Sequence, residues 1–207
     1  MLTEYRGRWR PFVPAHEHIS NSRRRFRAAC ALLGFAALLT AVCALPRSVP
    51  LLRQHGQFFK RVRAALRGAS FVGEADVVFQ SHGNDCGVAA LQMILAAHGI
   101  ECSAAALVPK LRLTPRGTSM LDMRRAAAEF GVPAKSWVIK PVDLSQTPLP
   151  AIALVNGDHF VVIRRFIAPE VLEVDDPALG RLRWPMRAFT RAWSGETLVF
   201  DPAWTPL

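Results

Sequence analysis

The chain has 207 residues, 51% of them apolar, and four cysteines, which is enough for one folded domain with a sizeable core. This composition excludes collagen-like, disordered and disulfide-scaffold proteins. The formal net charge of +10 is unevenly placed, because residues 1–67 hold 13 Lys and Arg against two acids (+11) and residues 68–207 hold 13 against 14 (−1). The region that can fold is therefore nearly neutral, and we expect no nucleic-acid partner.

An uncharged apolar run occupies residues 28–45, directly after a cluster of arginines at 23–27. Its 18 residues would span about 27 Å as a helix, close to the hydrocarbon core of about 30 Å. The run predicts a membrane-directed segment, which is either a single-pass transmembrane anchor or a signal peptide cleaved after Val42-Cys43-Ala44. The sequence does not decide between the anchor and the signal peptide, although the long basic segment 1–27 ahead of the run slightly favours an anchor.

The arginine cluster also predicts an orientation. Basic residues stay on the cytoplasmic side of a membrane, so we expect the N-terminus in the cytoplasm and the folded domain on the other side. If the run is instead a cleaved signal, the domain is soluble in the same compartment.

Residues 46–73 form a basic amphipathic linker. Phe58, Val62, Ala65 and Leu66 recur at helical spacing among several arginines. This pattern predicts either a juxtamembrane helix that lies on anionic lipid headgroups or a solvated linker, and the two remain open.

The folded domain is predicted at residues 74–201, followed by a C-terminal tail at 202–207. An extended entry at 75–80 precedes three helices, whose periodicity and capping residues place them at 86–98, 103–111 and 119–130. Short β-branched and aromatic runs separated by turn residues then predict six antiparallel strands, at 132–139, 151–155, 159–166, 171–175, 181–184 and 197–200. Helices followed by strands indicate an α+β fold with N-terminal helices packed on an antiparallel sheet, the order found in papain-like proteins.

Cys86 falls in the first turn of the first helix, after Asn84 and Asp85, which are residues typical of a helix N-cap. Unpaired backbone N–H groups and the helix dipole stabilise a thiolate there, so Cys86 is a candidate nucleophile. The alternative is a small buried hydrophobic residue, but the polar, turn-like neighbours Asp85 and Gly87 favour the nucleophile.

His159 is the only histidine among the predicted strands and is therefore the candidate base. His82 and His98 lie in a loop and three turns along the helix, so neither is well placed. Together with Cys86 and Cys102 these two histidines lack the paired spacing of a zinc site, and we expect no metal and no cofactor.

Three segments carry a resemblance to a known family: QSHGNDCGVAALQMIL (80–95), GDHFVVI (157–163) and VDDPALGRLRW (174–184). In this order they resemble the double-glycine leader peptidases, papain-like cysteine proteases whose domain also stands at the front of bacteriocin-exporting ABC transporters. The resemblance covers essentially the whole predicted domain.

By position, the resemblance implies that Cys86 is the nucleophile, His159 the general base and acid, and Asp176 the residue that orients the imidazole. It also implies that Gln80 donates its side-chain amide to the oxyanion, together with the backbone N–H of Cys86.

The choice of aspartate is less direct, because Asp175 and Asp176 are adjacent and Asp-Pro-Ala recurs at 201–203. Asp176 directly precedes Pro177, as in the family pattern. Neighbouring strand residues point to opposite faces, so only one of the pair can face His159. We expect the C-terminal copy to cap the last strand.

The resemblance implies a cysteine endopeptidase that cleaves leader peptides after Gly-Gly in small exported polypeptides, beside export machinery at a bacterial inner membrane. With no phosphate-loop signature and no set of six apolar spans in this sequence, we expect a free-standing relative and not the exporter itself. Some such relatives serve the export of other substrates, such as functional amyloid. The alternative is a catalytically inactive papain-like domain that binds leaders or export substrates.

Overall fold

The computed structural model describes residues 50–201 and 203–205. The predicted basic segment 1–27 and apolar run 28–45 lie outside the described residues. Among the helices that the structure does describe, none has the length and hydropathy needed to cross a membrane.

The described residues form five α-helices, one 3-10 helix and seven strands. The helices are α1 (Pro50–Leu66), α2 (Cys86–Ala97), α3 (Ala104–Leu107), α4 (Met120–Glu129) and α5 (Met186–Ala192), with the 3-10 helix at Pro141–Gln146. The strands are β1 (Ser70–Gly73), β2 (Lys135–Val138), β3 (Ala151–Val155), β4 (His159–Ala168), β5 (Val171–Asp176), β6 (Gly180–Pro185) and β7 (Trp193–Val199).

All seven strands join one antiparallel sheet in the order β1-β6-β5-β4-β3-β7-β2. Alternation along the central strands sends successive side chains to opposite faces. On one face Ile152 and Val162 pack with helices α2 and α4. On the other face Val161 and Ile163 pack with Phe189 of α5. The sheet is thus covered on both faces, which explains why its central strands are almost wholly apolar.

The α+β papain-like architecture with helices packed on an antiparallel sheet is confirmed. Several elements differ from the sequence-based expectation. The helix predicted at 103–111 is helical only over Ala104–Leu107, because Pro109 has no N–H to continue it. The entry expected to be extended at 75–80 begins with a turn at 75–76, and α5 and the 3-10 helix were not predicted.

The residues expected to form a linker contribute to the same compact body. Ala64 of α1 is fully buried in the core, and β1 pairs with β6 at the edge of the sheet. The compact unit begins at Gln54, ahead of the boundary expected at residue 74. Phe58, Val62 and Leu66 of the predicted apolar stripe are exposed, so α1 packs through a different face.

Candidate active site

Cys86 is the first residue of α2 and is buried. The preceding Asp85 occupies the N-cap position but its side chain makes no capping bond to the helix, contrary to the expected role. Its carboxylate instead turns back and accepts hydrogen bonds from the backbone N–H groups of Ser81, at 3.1 Å, and His82, at 3.0 Å. Asp85 therefore fixes the loop ahead of Cys86 and leaves the first N–H groups of the helix open toward the site.

Gly87 lets the start of α2 approach its neighbours closely. A Cβ at this position would lie 2.4 Å from Cγ2 of Thr118 and 3.2 Å from Sδ of Met123. It would also lie 3.4 Å from the ring of Phe160, the residue after His159. The absence of a side chain thus sets the separation between the helix that carries Cys86 and the strand that carries His159.

His159 is the first residue of β4, where it pairs in register with Val155 of β3. Its Nε2 lies 2.8 Å from Oδ1 of Asp176. This contact leaves Nδ1 for the hydrogen bond between the His159 side chain and Cys86.

Asp176 ends β5 and is fully buried. Besides His159, its Oδ1 accepts hydrogen bonds from the backbone N–H groups of Ala178 (2.7 Å) and Leu179 (3.3 Å) in the following turn. Its Oδ2 accepts one from Nη1 of Arg67 at 2.8 Å.

Asp175 lies beside Asp176 in the chain but has different partners. Its Oδ1 accepts from Nε of Arg181 at 2.9 Å and its Oδ2 from Nη1 of Arg164 at 3.1 Å. The structure therefore brings Asp176, and not Asp175, to His159.

The three groups shift one another's pKa values toward the charged forms. Burial alone raises the pKa of the Cys86 thiol, but the hydrogen bond from His159, the N–H of Phe160 and the charge on His159 lower it overall. Burial lowers the pKa of His159, yet the hydrogen bonds and charges of Asp176 and Cys86 raise it to about 9. For Asp176, burial raises the pKa, and the contacts with His159, the Ala178 N–H and Arg67 reverse this and lower it. The arrangement favours a thiolate, an imidazolium and a carboxylate in line.

Gln80 lies in the loop before Cys86, and its backbone N–H donates to the carbonyl of Pro177, beside Asp176. Its side-chain Nε2 donates to the carbonyl of His82 at 2.8 Å, while Oε1 is buried with no hydrogen-bond partner among the described residues. A primary amide has two N–H bonds, so one remains for a ligand. The oxyanion role implied for Gln80 stays a prediction.

A cleft of about 660 Å³ opens beside Cys86. It is lined by the segment 115–120, by Gly157 and Asp158 of the β3–β4 turn, and by Glu196. Gly83, Gly117 and Gly157 are among the lining residues. The cleft can therefore take an extended polypeptide whose backbone runs close to the thiol.

Arg67 is the residue of the site that sequence reasoning missed. It lies 109 positions from Asp176 in the chain, in a segment expected to be a linker, and no motif includes it. Its position one residue beyond a helix is not a signal for function. The second Asp-Pro-Ala copy lies apart, where Oδ1 of Asp201 accepts from the N–H of Ala203 at 2.9 Å in a local turn after β7.

Residues 74–205 match the model of the Peptidase C39 family. The chain is 35% identical over 158 residues to a probable functional amyloid protease, FapD, of Pseudomonas aeruginosa, covering 70% of this chain and 67% of that protein. It is 28% identical over 137 residues to the lactococcin-G-processing and transport ATP-binding protein LagD of Lactococcus lactis subsp. lactis. That match covers 61% of this chain and 19% of LagD.

Solved structures show the same fold. A double glycine motif protease from an AMS/PCAT transporter, in complex with the leader peptide, is 30% identical with a TM-score of 0.59, covering 61% of this chain and 91% of that one. The peptidase domain of Streptococcus ComA has a TM-score of 0.54 at 23% identity, covering 58% of this chain and 93% of that one, and supports the fold alone.

Proposed function

The chain belongs to the peptidase C39 family, and from this premise we propose that it is a cysteine endopeptidase that cleaves a leader peptide after a Gly-Gly pair in a small exported polypeptide. The observation that carries the proposal is the continuous contact from Cys86 through His159 to the buried carboxylate of Asp176. A domain that only bound leaders would have no need for a thiol, an imidazole and a buried carboxylate in continuous contact.

The first half-reaction forms an acyl-enzyme. The Cys86 thiolate attacks the carbonyl carbon of the second glycine, and the resulting oxyanion is stabilised by the backbone N–H of Cys86 and the free N–H of Gln80. The His159 imidazolium gives its proton to the departing amine as the C–N bond breaks, and Asp176 keeps the ring oriented throughout.

The second half-reaction releases the leader. His159, now neutral, takes a proton from water, which attacks the thioester carbon. The C–S bond breaks, the leader leaves with a new carboxylate, and the thiolate and imidazolium are restored.

The lining of the cleft supports close approach of a substrate backbone to Cys86. Several wall residues are themselves glycines, which is the arrangement that a backbone needs to approach a thiol without side-chain clashes. The likeness to a double glycine motif protease bound to a leader peptide supports the same specificity.

The test is cleavage of a synthetic peptide with one Gly-Gly pair, followed by mass spectrometry of the products. We expect one cut after the pair, at least about a hundredfold slower cleavage when the pair is Val-Val, and none with Cys86→Ala. Cys102→Ala is the matched control and should keep most activity, because Cys102 lies outside the cleft. Binding of the peptide without cleavage by the unaltered chain would support the inactive leader-binding alternative instead.

We also propose that the chain acts at a bacterial inner membrane, anchored or targeted by residues 28–45, with its domain in the periplasm beside export machinery. The apolar run, the arginine cluster before it and the likeness to FapD and LagD support this placement. The exported polypeptide would be a bacteriocin-like peptide or an amyloid subunit precursor.

A further inference from the structure

Arg67 follows helix α1 and contacts the most deeply buried member of the site. Its Nη1 lies 2.8 Å from Oδ2 of Asp176, whose side chain has no exposed surface. From this contact we infer that Arg67 is a positioning residue of the catalytic centre, which holds the Asp176 carboxylate charged and correctly turned toward His159. The inference rests on the thiol chemistry proposed above.

The two carboxylate oxygens of Asp176 have different hydrogen-bond partners. Oδ1 accepts from His159 and from the N–H groups of Ala178 and Leu179. Among the described residues, Arg67 is the one hydrogen-bond partner of Oδ2. A buried carboxylate with an unpartnered oxygen is strongly disfavoured, so without Arg67 this group would favour its protonated form or rotate away from the imidazole.

The backbone around Arg67 is held on both sides of the residue. Its N–H donates to the carbonyl of Ala64 at 3.0 Å, and the N–H of Gly68 donates to Ala65 at 2.9 Å. Gly68 has a φ of 75°, and a Cβ there would lie 2.9 Å from Cβ of Ala188, so the helix end sits tightly against α5. The chain then enters β1 at the sheet edge. The fixed backbone therefore holds Arg67 beside Asp176, whereas the backbone of an ordinary surface arginine is not held in this way.

Loss of the Arg67 charge is expected to shift the acidic limb of the dependence of kcat/KM on pH in one direction. Without the guanidinium the Asp176 carboxylate protonates at higher pH. The His159 imidazolium, whose charge lowers the pKa of Cys86, then loses part of the support it receives from Asp176. Both changes move the rise of kcat/KM to higher pH. A purely structural contribution of Arg67 would lower activity at every pH and leave that midpoint in place.

The experiment compares full-length chains carrying Arg67→Met, Arg67→Lys and Arg63→Met. Arg63→Met is the matched control because Arg63 lies four residues before Arg67 in the last turn of α1, is exposed and makes no ion pair among the described residues. For Arg67→Met we expect kcat to fall by about tenfold to a hundredfold at neutral pH, the scale of one hydrogen bond to a charged group, with KM changed by less than about threefold. The acidic midpoint should move upward, Arg67→Lys should recover part of both effects, and Arg63→Met should match the unaltered chain.

A second readout does not depend on any peptide substrate. The rate of iodoacetamide alkylation at Cys86, followed by mass spectrometry across pH, reports the thiolate directly. We expect its midpoint to move to higher pH in Arg67→Met and to stay in place in Arg63→Met. If the unaltered chain cleaves nothing but this shift is found, the proposed function fails and the role of Arg67 stands. An unmoved midpoint in both assays, in a variant that melts at the same temperature as the unaltered chain, would overturn the inference.

Discussion

At the scale of single residues, the proposed mechanism depends on two protons. Cys86 must lose its proton before it can attack, and its pKa is lowered by His159 and the N–H of Phe160. His159 must keep its proton until the amine leaves, and its pKa is raised to about 9. At a pH between the lowered pKa of Cys86 and the raised pKa of His159, the thiolate and the imidazolium coexist, and this is the reactive state in the proposed mechanism.

We therefore expect a bell-shaped dependence of kcat/KM on pH. Activity should rise as pH climbs through the lowered pKa of Cys86 and fall as pH climbs through about 9, where His159 loses the proton needed by the leaving amine. The measurement is kcat/KM with the Gly-Gly peptide from pH 4 to 11.

Asp176→Asn supplies the comparison for this profile. The substitution removes the carboxylate that raises the pKa of His159, so the fall at high pH should begin at lower pH and the maximum should be smaller. A high-pH midpoint unchanged in Asp176→Asn would contradict the assignment of that limb to His159.

Sequence reasoning reached some of these residues and not others, for physical reasons. Strand alternation indicated that only one of Asp175 and Asp176 could meet His159, and the geometry selects Asp176. Asp85 was expected to cap the helix, but residue type does not determine which free N–H groups a carboxylate will take. Arg67 could not be predicted, because its role depends on a contact between distant parts of the chain.

At the scale of elements, the site depends on how closely α2 approaches the sheet. Gly87→Ala tests this spacing, since the new Cβ would lie 2.4 Å from Thr118 and within contact of Met123 and Phe160. The helix start or the segment around Thr118 must then move. We expect the free energy of unfolding to fall by about 1–3 kcal/mol and kcat/KM to fall by about tenfold to a hundredfold.

Chemical denaturation and peptide cleavage measure the two effects of Gly87→Ala. Gly73→Ala is the matched control, because a Cβ at Gly73 meets nothing within 4 Å and Gly73 lies outside the cleft. Equal activity in both variants would mean that the spacing set by Gly87 is unimportant for catalysis.

Elements were predictable where their own sequence fixes them. The strands over 151–155 and 159–168 carry long apolar runs bounded by turns, and they were expected within a few residues. Strand β1 and helix α5 are short and depend on tertiary contacts. Strand β1 is stabilised by pairing with β6, and α5 by packing of Phe189 in the core. Such elements are products of tertiary packing, so local patterns do not identify them.

At the scale of the whole molecule, the outer surface of α1 supports the proposed membrane placement. Phe58 is 59% exposed and Leu66 is 83% exposed, close to the basic residues Arg61 and Arg63. Apolar and basic side chains exposed together are typical of a helix that lies on anionic lipid.

We expect the full-length chain, expressed in a Gram-negative bacterium, to stay in the membrane pellet after alkaline carbonate extraction if residues 28–45 are retained. A chain lacking residues 28–45 should be released by the same treatment. A C-terminal alkaline phosphatase fusion should be active, because that enzyme folds only where disulfides form. Release of a shortened chain that begins at Leu45 would identify the run as a cleaved signal. An inactive fusion would contradict the proposed orientation.

The two ends of the sheet, β1 and β2, are each only four residues long, whereas the central strand β4 has ten. The pairing of β1 also carries an irregularity between Phe71 and Gly73. Long, flat edge strands act as templates on which further chains add and grow into fibrils. Short, irregular edge strands resist such growth. The described sheet therefore presents to an extended polypeptide two short edge strands, which are poor templates for polymerisation.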